Sequence, residues 1–165
     1  MLATSESKKI LGGDSQFAIV ASKYNSLYVD AMVKAARAEL KRAGARRIEI
    51  IRVPGAFEIP TVAASLASLS RLPEGKKPFD AIICFGVVFE GETSHAQHIG
   101  WAVTHALAQI QIEHKVPVIH GVFVFEKEKH ARVRCLGKKH NRGTEAARTA
   151  LEMASVMKNL RNIGM

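Results

Sequence analysis

The 165-residue sequence has only two cysteines, Cys84 and Cys135, and no apolar run approaching eighteen residues. Two distant cysteines make neither a disulfide framework nor a cysteine-based metal site. Cys84 lies in an apolar run and reads as a core residue; Cys135 follows a charged stretch. Without a long apolar run, no segment is expected to cross a bilayer as a helix. Met1 to Ser15 is polar and carries no secretory signal. Internal repeats, linkers and low-complexity segments are also missing. The expectation is a cytoplasmic protein with a flexible arm over 1–15 and a single domain over 16–165, long enough to bury one core. Basic residues outnumber acidic ones, 24 to 15, for a net charge of +9. Yet they are scattered, apart from 127–139 and 158–161, and no basic run interleaves with aromatics. That counts against nucleic-acid binding and leaves a solvated surface or one that steers phosphates.

What is present is an alternation of short apolar runs with longer stretches of helical period. Phe17–Ser22, Ile48–Val53, Ala81–Val88 and Val118–Val124 read as strands. The third is apolar throughout, as a strand covered on both faces should be. Val29, Met32, Val33, Ala36, Leu40 and Ala43 recur at helical spacing until Gly44. A second helix is expected from Glu58 to about Leu72, with Pro60 in its first turn. Leu72–Phe79 reads as an exposed loop. Ile99, Val103, Ala106, Leu107 and Ile110 mark a third helix, Glu126 to about Leu136 a short fourth, and Ala146 to Met157 the last. Strand and helix alternating four times predict an α/β three-layer sandwich, with a four-stranded parallel sheet flanked by helices in the flavodoxin-like manner. In such sheets ligands sit beyond the carboxyl ends of the strands, which selects the loops after Ser22, Val53, Val88 and Val124.

Each loop admits a functional and a structural reading. Tyr24 can stack on a flat ring and Asn25 can hydrogen-bond to it; equally, Asn25 or Ser26 can cap a helix. In Val53-Pro-Gly-Ala-Phe-Glu-Ile-Pro60, Gly55 permits close approach of a ligand and the N–H groups near Ala56 and Phe57 lie at a helix start. Glu58 can bind hydroxyls or complement the helix dipole. Gly91-Glu92-Thr93-Ser94-His95 is more specific. Free N–H groups at a helix start attract an anion, the Thr93 and Ser94 hydroxyls add donors, and His95 titrates in the range that suits proton transfer. The alternative is a hydroxyl N-cap with an incidental histidine. His98 and His105 share the helix with His95, but no third metal ligand stands at a useful spacing. The stretch from Lys127 to Arg142 is either a solvated face or the source of an arginine phosphate clamp, from Arg134 or Arg142.

Taken together, Val53 to Pro60, Gly86 to His95, and Asn141-Arg-Gly143 ahead of Ala147 to Met153 resemble lumazine synthases of riboflavin biosynthesis, over roughly residues 17–160. The resemblance implies condensation of 5-amino-6-ribitylaminouracil with 3,4-dihydroxy-2-butanone 4-phosphate, without metal or organic cofactor. It implies that Tyr24 stacks on the pyrimidine and that Ala56, Phe57 and Glu58 hold the ribityl chain, with Asn25 nearby. Val88 and Phe89 present backbone groups to the uracil, and Glu92 and Thr93 present N–H groups to the phosphate. His95 shuttles protons, Arg134 binds the phosphate, and Arg142 stands where the family has a lysine. His120 replaces a common phenylalanine against the bound ring, and Glu90 a common arginine. Sites of this family lie between subunits of a pentamer, sometimes in sixty-subunit shells, so Arg134 and the fourth-strand residues would come from a neighbour.

Overall fold

A computed structural model describes residues 12–69 and 78–164. Its sheet has four parallel strands in the order β2-β1-β3-β4: β1 (Gln16–Ser22), β2 (Arg47–Val53), β3 (Ala81–Phe89) and β4 (Val118–Phe125). Around it lie α1 (Ser26–Arg42), α2 (Ile59–Ser68), α3 (His95–His114), the single turn α4 (Glu128–Ala131) and α5 (Arg142–Ile163). The expected α/β three-layer architecture is what the chain adopts.

The sequence pattern explains the layering. Successive side chains on a strand point to opposite faces. On β1, Phe17, Ile19 and Ala21 meet Val29, Met32, Ala36 and Leu40 of α1 and the alanines Ala147, Ala150 and Ala154 of α5. Ala18 and Val20 point the other way, towards Ile59, Ala63 and Ala67 of α2 and Val103, Leu107 and Ile110 of α3. The central strands β1 and β3 are therefore apolar on both faces. The edge strand β2 is not, and it alternates charged with aliphatic residues.

Several boundaries differ from expectation for local reasons. A 3-10 turn over Ala56–Glu58 precedes α2, and Pro60 sits at its first positions, so the helix begins one residue later than expected. It ends at Ser68, and the remainder of the expected helix and most of the loop after Leu72 lie outside the described residues. Phe79, expected in that exposed loop, is buried against the α2–α3 side of the sheet. After α4 the chain widens into a π-helical turn over Arg132–Leu136 instead of continuing as one α-helix. Residues 1–11 of the expected arm lie outside the described residues. Gly12–Ser15 is tied down: Gly12 N–H donates to Ala43 and Arg46 N–H to Ser15.

Two features lock α1 to α5. Glu39, with its side chain 11% exposed, accepts from Arg42 and from Arg148 across the helix pair. Burial alone would raise its carboxyl, but the two guanidinium groups outweigh that and hold it below the usual range. The second is steric. At Gly143 a Cβ would lie 2.1 Å from the carbonyl oxygen of Met32, so only glycine lets the first turn of α5 rest on the backbone of α1. Asn141 fixes that turn, accepting from Gly143 N–H at 2.8 Å and donating to the Cys135 carbonyl at 2.6 Å. Because the obstruction at Gly143 is backbone, Gly143→Ala must separate the helices. It is expected to cost about 2–3 kcal/mol, read as a lower thermal midpoint at fixed protein concentration; an unchanged midpoint would mean the contact is looser than described.

Candidate active site

The chain leaves β1 for α1 on one face of the sheet and leaves β3 for α3 on the other. Between neighbouring strands whose connections part in this way a crevice must open at their carboxyl ends. Here it is a cleft of about 840 Å³, within the size range of small-molecule sites.

Three loops furnish it. After β1, Tyr24 projects with 72% exposure. Asn25 adopts a left-handed backbone, φ 53°, and its side-chain amide donates to the Val87 carbonyl of β3 at 2.7 Å. Its side chain caps no N–H of α1. Asn25 therefore ties the two diverging loops together across the head of the cleft. After β2, Gly55 lies under the Tyr24 ring, where a Cβ would approach Tyr24 Cδ2 to 3.3 Å. Glu58 Oε2 accepts from Gly55 N–H at 2.9 Å, which consumes one carboxylate oxygen and leaves the other. Phe57 stands 61% exposed at the wall of the cleft, with Ala56 beneath.

After β3 come Val88 and Phe89. The Phe89 ring turns away, edge-on to Tyr28 at 5.5 Å and near Phe125, so the group it offers the cleft is its backbone. His95 is the first residue of α3 and lines the cleft; Glu92 and Thr93 are exposed in the preceding turn. Ser94 occupies the N-cap position without capping, so its hydroxyl satisfies no N–H of the first turn. The cleft thus combines exposed aromatic faces, a carboxylate and an imidazole beside a helix start that favours an anion.

Comparison with known proteins gives this arrangement a family. The family model for 6,7-dimethyl-8-ribityllumazine synthase matches residues 14–158. The chain is 38% identical over 149 residues to the 6,7-dimethyl-8-ribityllumazine synthase of Halorhodospira halophila, covering 89% of this chain and 91% of that protein. It is 37% identical to the Pyrococcus furiosus protein of the same name, covering 90% and 89%, and 36% identical to that of Stenotrophomonas maltophilia, covering 88% and 91%. The chain belongs to the 6,7-dimethyl-8-ribityllumazine synthase family.

The remaining residues singled out from the lumazine synthase resemblance do not join this cleft within one protomer. His120 lies on β4, its Nε2 2.8 Å from Thr104 Oγ1, in a separate hollow with Phe123 and Arg142. Burial pulls its imidazole below the ordinary value, which favours a neutral ring. Arg142 pairs with Glu145 and sits over the Phe123 ring, 6.0 Å from its centroid. Arg134 lies in the π-helical turn. Both arginines are close enough to Cys135 to pull its thiol down, although burial dominates and pushes it up to about 11. A histidine expected against the bound ring is thus on the edge strand, because β4 pairs only through β3.

Two further residues line these hollows and were not candidates for substrate binding in the sequence. Phe123 was hidden in an apolar run. His98, weighed earlier only as a metal ligand, lines the cleft beside His95, and its i, i+3 spacing from His95 was the available signal. Among the described residues no three His, Cys, Asp or Glu side chains gather as a metal site.

The role of Asn25 as a tie is testable by separating backbone from side chain. Asn25→Gly keeps the left-handed turn and loses the bond to Val87, at a cost of about 1 kcal/mol. Asn25→Ala loses both and should cost about 1–2 kcal/mol more. Equal thermal midpoints for the two variants would show that the backbone conformation is unstrained.

Proposed function

We propose that this chain condenses 5-amino-6-(D-ribitylamino)uracil with 3,4-dihydroxy-2-butanone 4-phosphate to 6,7-dimethyl-8-ribityllumazine, the penultimate step of riboflavin biosynthesis. The observation that carries the reading is the meeting of Tyr24, Glu58 and His95 from three separate loops around one cleft, in a chain of this family. Family membership names small-molecule substrates.

Each role follows from chemistry. The exposed Tyr24 ring stacks on the pyrimidine, held over Gly55. Ala56, Phe57 and the free oxygen of Glu58 receive the ribityl hydroxyls, with Asn25 holding the wall. Val88 and Phe89 offer backbone hydrogen bonds to the uracil edge. The uracil's primary amine attacks the ketone, and water leaves as the imine forms. Phosphate departs by elimination, and the ribityl-bearing nitrogen then closes the second ring with loss of water. His95 carries protons between these steps, while most of the acceleration comes from holding two reactants together. The helix start at Glu92 and Thr93 stabilises the leaving phosphate.

The site is completed across a subunit boundary, within a pentamer that is able to build a larger shell. His120, Phe123, Arg134 and Arg142 would then serve a neighbour's cleft: His120 as a neutral ring against the substrate, Arg134 as the phosphate clamp. The bare faces of Tyr24 and Phe57 and the distance of β4 from its own cleft support this reading. The compartment is the cytoplasm.

The direct test is an absorbance assay for the lumazine from the two purified substrates; no product would refute the reading. His95→Ala is expected to slow turnover by roughly 10²–10⁴-fold, and an unchanged rate would remove His95 from the mechanism. Arg134→Ala should raise the KM of the phosphate substrate far more than that of the uracil. If the site is shared, subunits carrying His95→Ala co-assembled with subunits carrying Arg134→Ala should regain activity that neither has alone. Light scattering that found only an 18.0 kDa monomer would rule out that sharing.

A further inference from the structure

The cleft contains a second histidine that the proposed mechanism does not use. His98 lies one turn beyond Ser94 on α3, and its Nε2 is 3.1 Å from Ser94 Oγ. Ser94 is the N-cap residue of α3, where a serine ordinarily accepts a hydrogen bond from the first turn, yet here it makes no such bond. Its side chain is engaged by His98 instead. His98 also lines the cleft, alongside His95.

A serine hydroxyl has one hydrogen to give, and a neutral imidazole nitrogen either donates or accepts. Two arrangements of the pair are possible. With Nε2 unprotonated, Ser94 gives its hydrogen to His98 and presents only lone pairs, which repel an anion. With Nε2 protonated, His98 donates to Oγ and the hydroxyl hydrogen is released to point elsewhere. The N–H groups and dipole of the helix start draw an anion to this spot. An anion selects the second arrangement, because the donors then form a chain in which each bond strengthens the next.

We propose that His98 is a positioning residue for phosphate binding: its Nε2–H donates to Ser94 Oγ and so turns the Ser94 hydroxyl into a donor to the anion at the start of α3. This rests on the reading, under Proposed function, that the anion is the substrate's phosphate. A metal-binding role for His98 has no support among the described residues, where no third ligand converges.

The test uses inorganic phosphate as the probe, titrated calorimetrically near neutral pH into the full-length assembled protein, so that it does not depend on turnover. His98 is exposed, and its replacement should leave the thermal midpoint in place. His98→Leu is expected to weaken phosphate binding roughly tenfold, the loss of one charge-assisted hydrogen bond. His98→Gln, which keeps an N–H donor, should recover most of that loss, as bulk or helix propensity alone would not. Ser94→Ala should match His98→Leu, and adding His98→Leu to it should cost nothing further. In turnover, the KM of the phosphate substrate should rise while that of the uracil holds. Unchanged phosphate affinity in His98→Leu, a full second loss on top of Ser94→Ala, or no phosphate binding by the wild type would each overturn the proposal. A wild type that binds phosphate in this His98-dependent way but forms no lumazine would leave it standing and refute the function instead.

Discussion

The molecule is organised by one topological constraint: the chain leaves β1 and β3, adjacent in the sheet, towards opposite faces. Parallel pairing forces each connection to cross over a face of the sheet, and two neighbours that part in this way leave a gap no backbone ladder can close. The gap is bridged by a side chain. Asn25, held in a left-handed turn, donates to Val87 across it. It ties the β1 loop to β3 and satisfies the Val87 carbonyl, which lies past the last β1–β3 pair, Ala21 with Phe85, while backbone bonds from Lys23 and Tyr24 to Val53 and Pro54 hold Tyr24 over the Gly55 loop. The cleft is a consequence of strand order, and its chemistry is added by the loops.

The same strand order explains why one protomer holds only part of the proposed site. β4 is an edge, separated from β1 by β3. His120 and Phe123 of β4 and Arg142 in the first turn of α5 line a hollow of their own, and Arg134 lies in the π-helical turn, near Cys135 as Arg142 is. That hollow carries a neutral-leaning histidine and an arginine paired with Glu145, unlike the cleft with its exposed aromatic faces and anion-favouring helix start. Two unlike surfaces on one chain are what head-to-tail association of identical subunits, as in the proposed pentamer, would bring together.

How legible this was in the sequence depended on the physics of each element. β1 and β3 were plain because burial on both faces leaves an unbroken apolar run. α1 and α5 were plain because their apolar stripes keep helical period. The boundary at Glu58 was misplaced by one residue, since a 3-10 turn and an α-helix share their first residues' pattern and differ only in hydrogen bonding. The π-helical turn over Arg132–Leu136 has no compositional signature at all. Among the candidate residues, Tyr24, Glu58 and His95, which line one cleft, could be singled out because position after a strand end is itself informative. The expectation that His120 and Arg134 stand apart from them came from the resemblance, not from spacing. The dual life of Asn25, capping by backbone and bridging by side chain, depends on a 62-residue separation that no local pattern encodes.

The glycines separate what the fold requires from what the ligand requires. At Gly143 and Gly121 a Cβ would strike backbone, at 2.1 Å from Met32 and 2.7 Å from Cys84, so packing alone dictates glycine there. Part of the family-like Asn141-Arg-Gly143 motif is therefore a helix-crossing device and says little about chemistry. Gly91 is the reverse case. A Cβ there meets nothing within 4 Å, and its backbone does not enter the left-handed region. Neither constraint within the protomer asks for glycine. The open space beside it leaves room for the phosphate proposed to be drawn to the start of α3. Gly91 stands three residues before Ser94 and four before His95, so its small size keeps backbone access open on the turn where the proposed anion, its positioning pair and the proton carrier would converge.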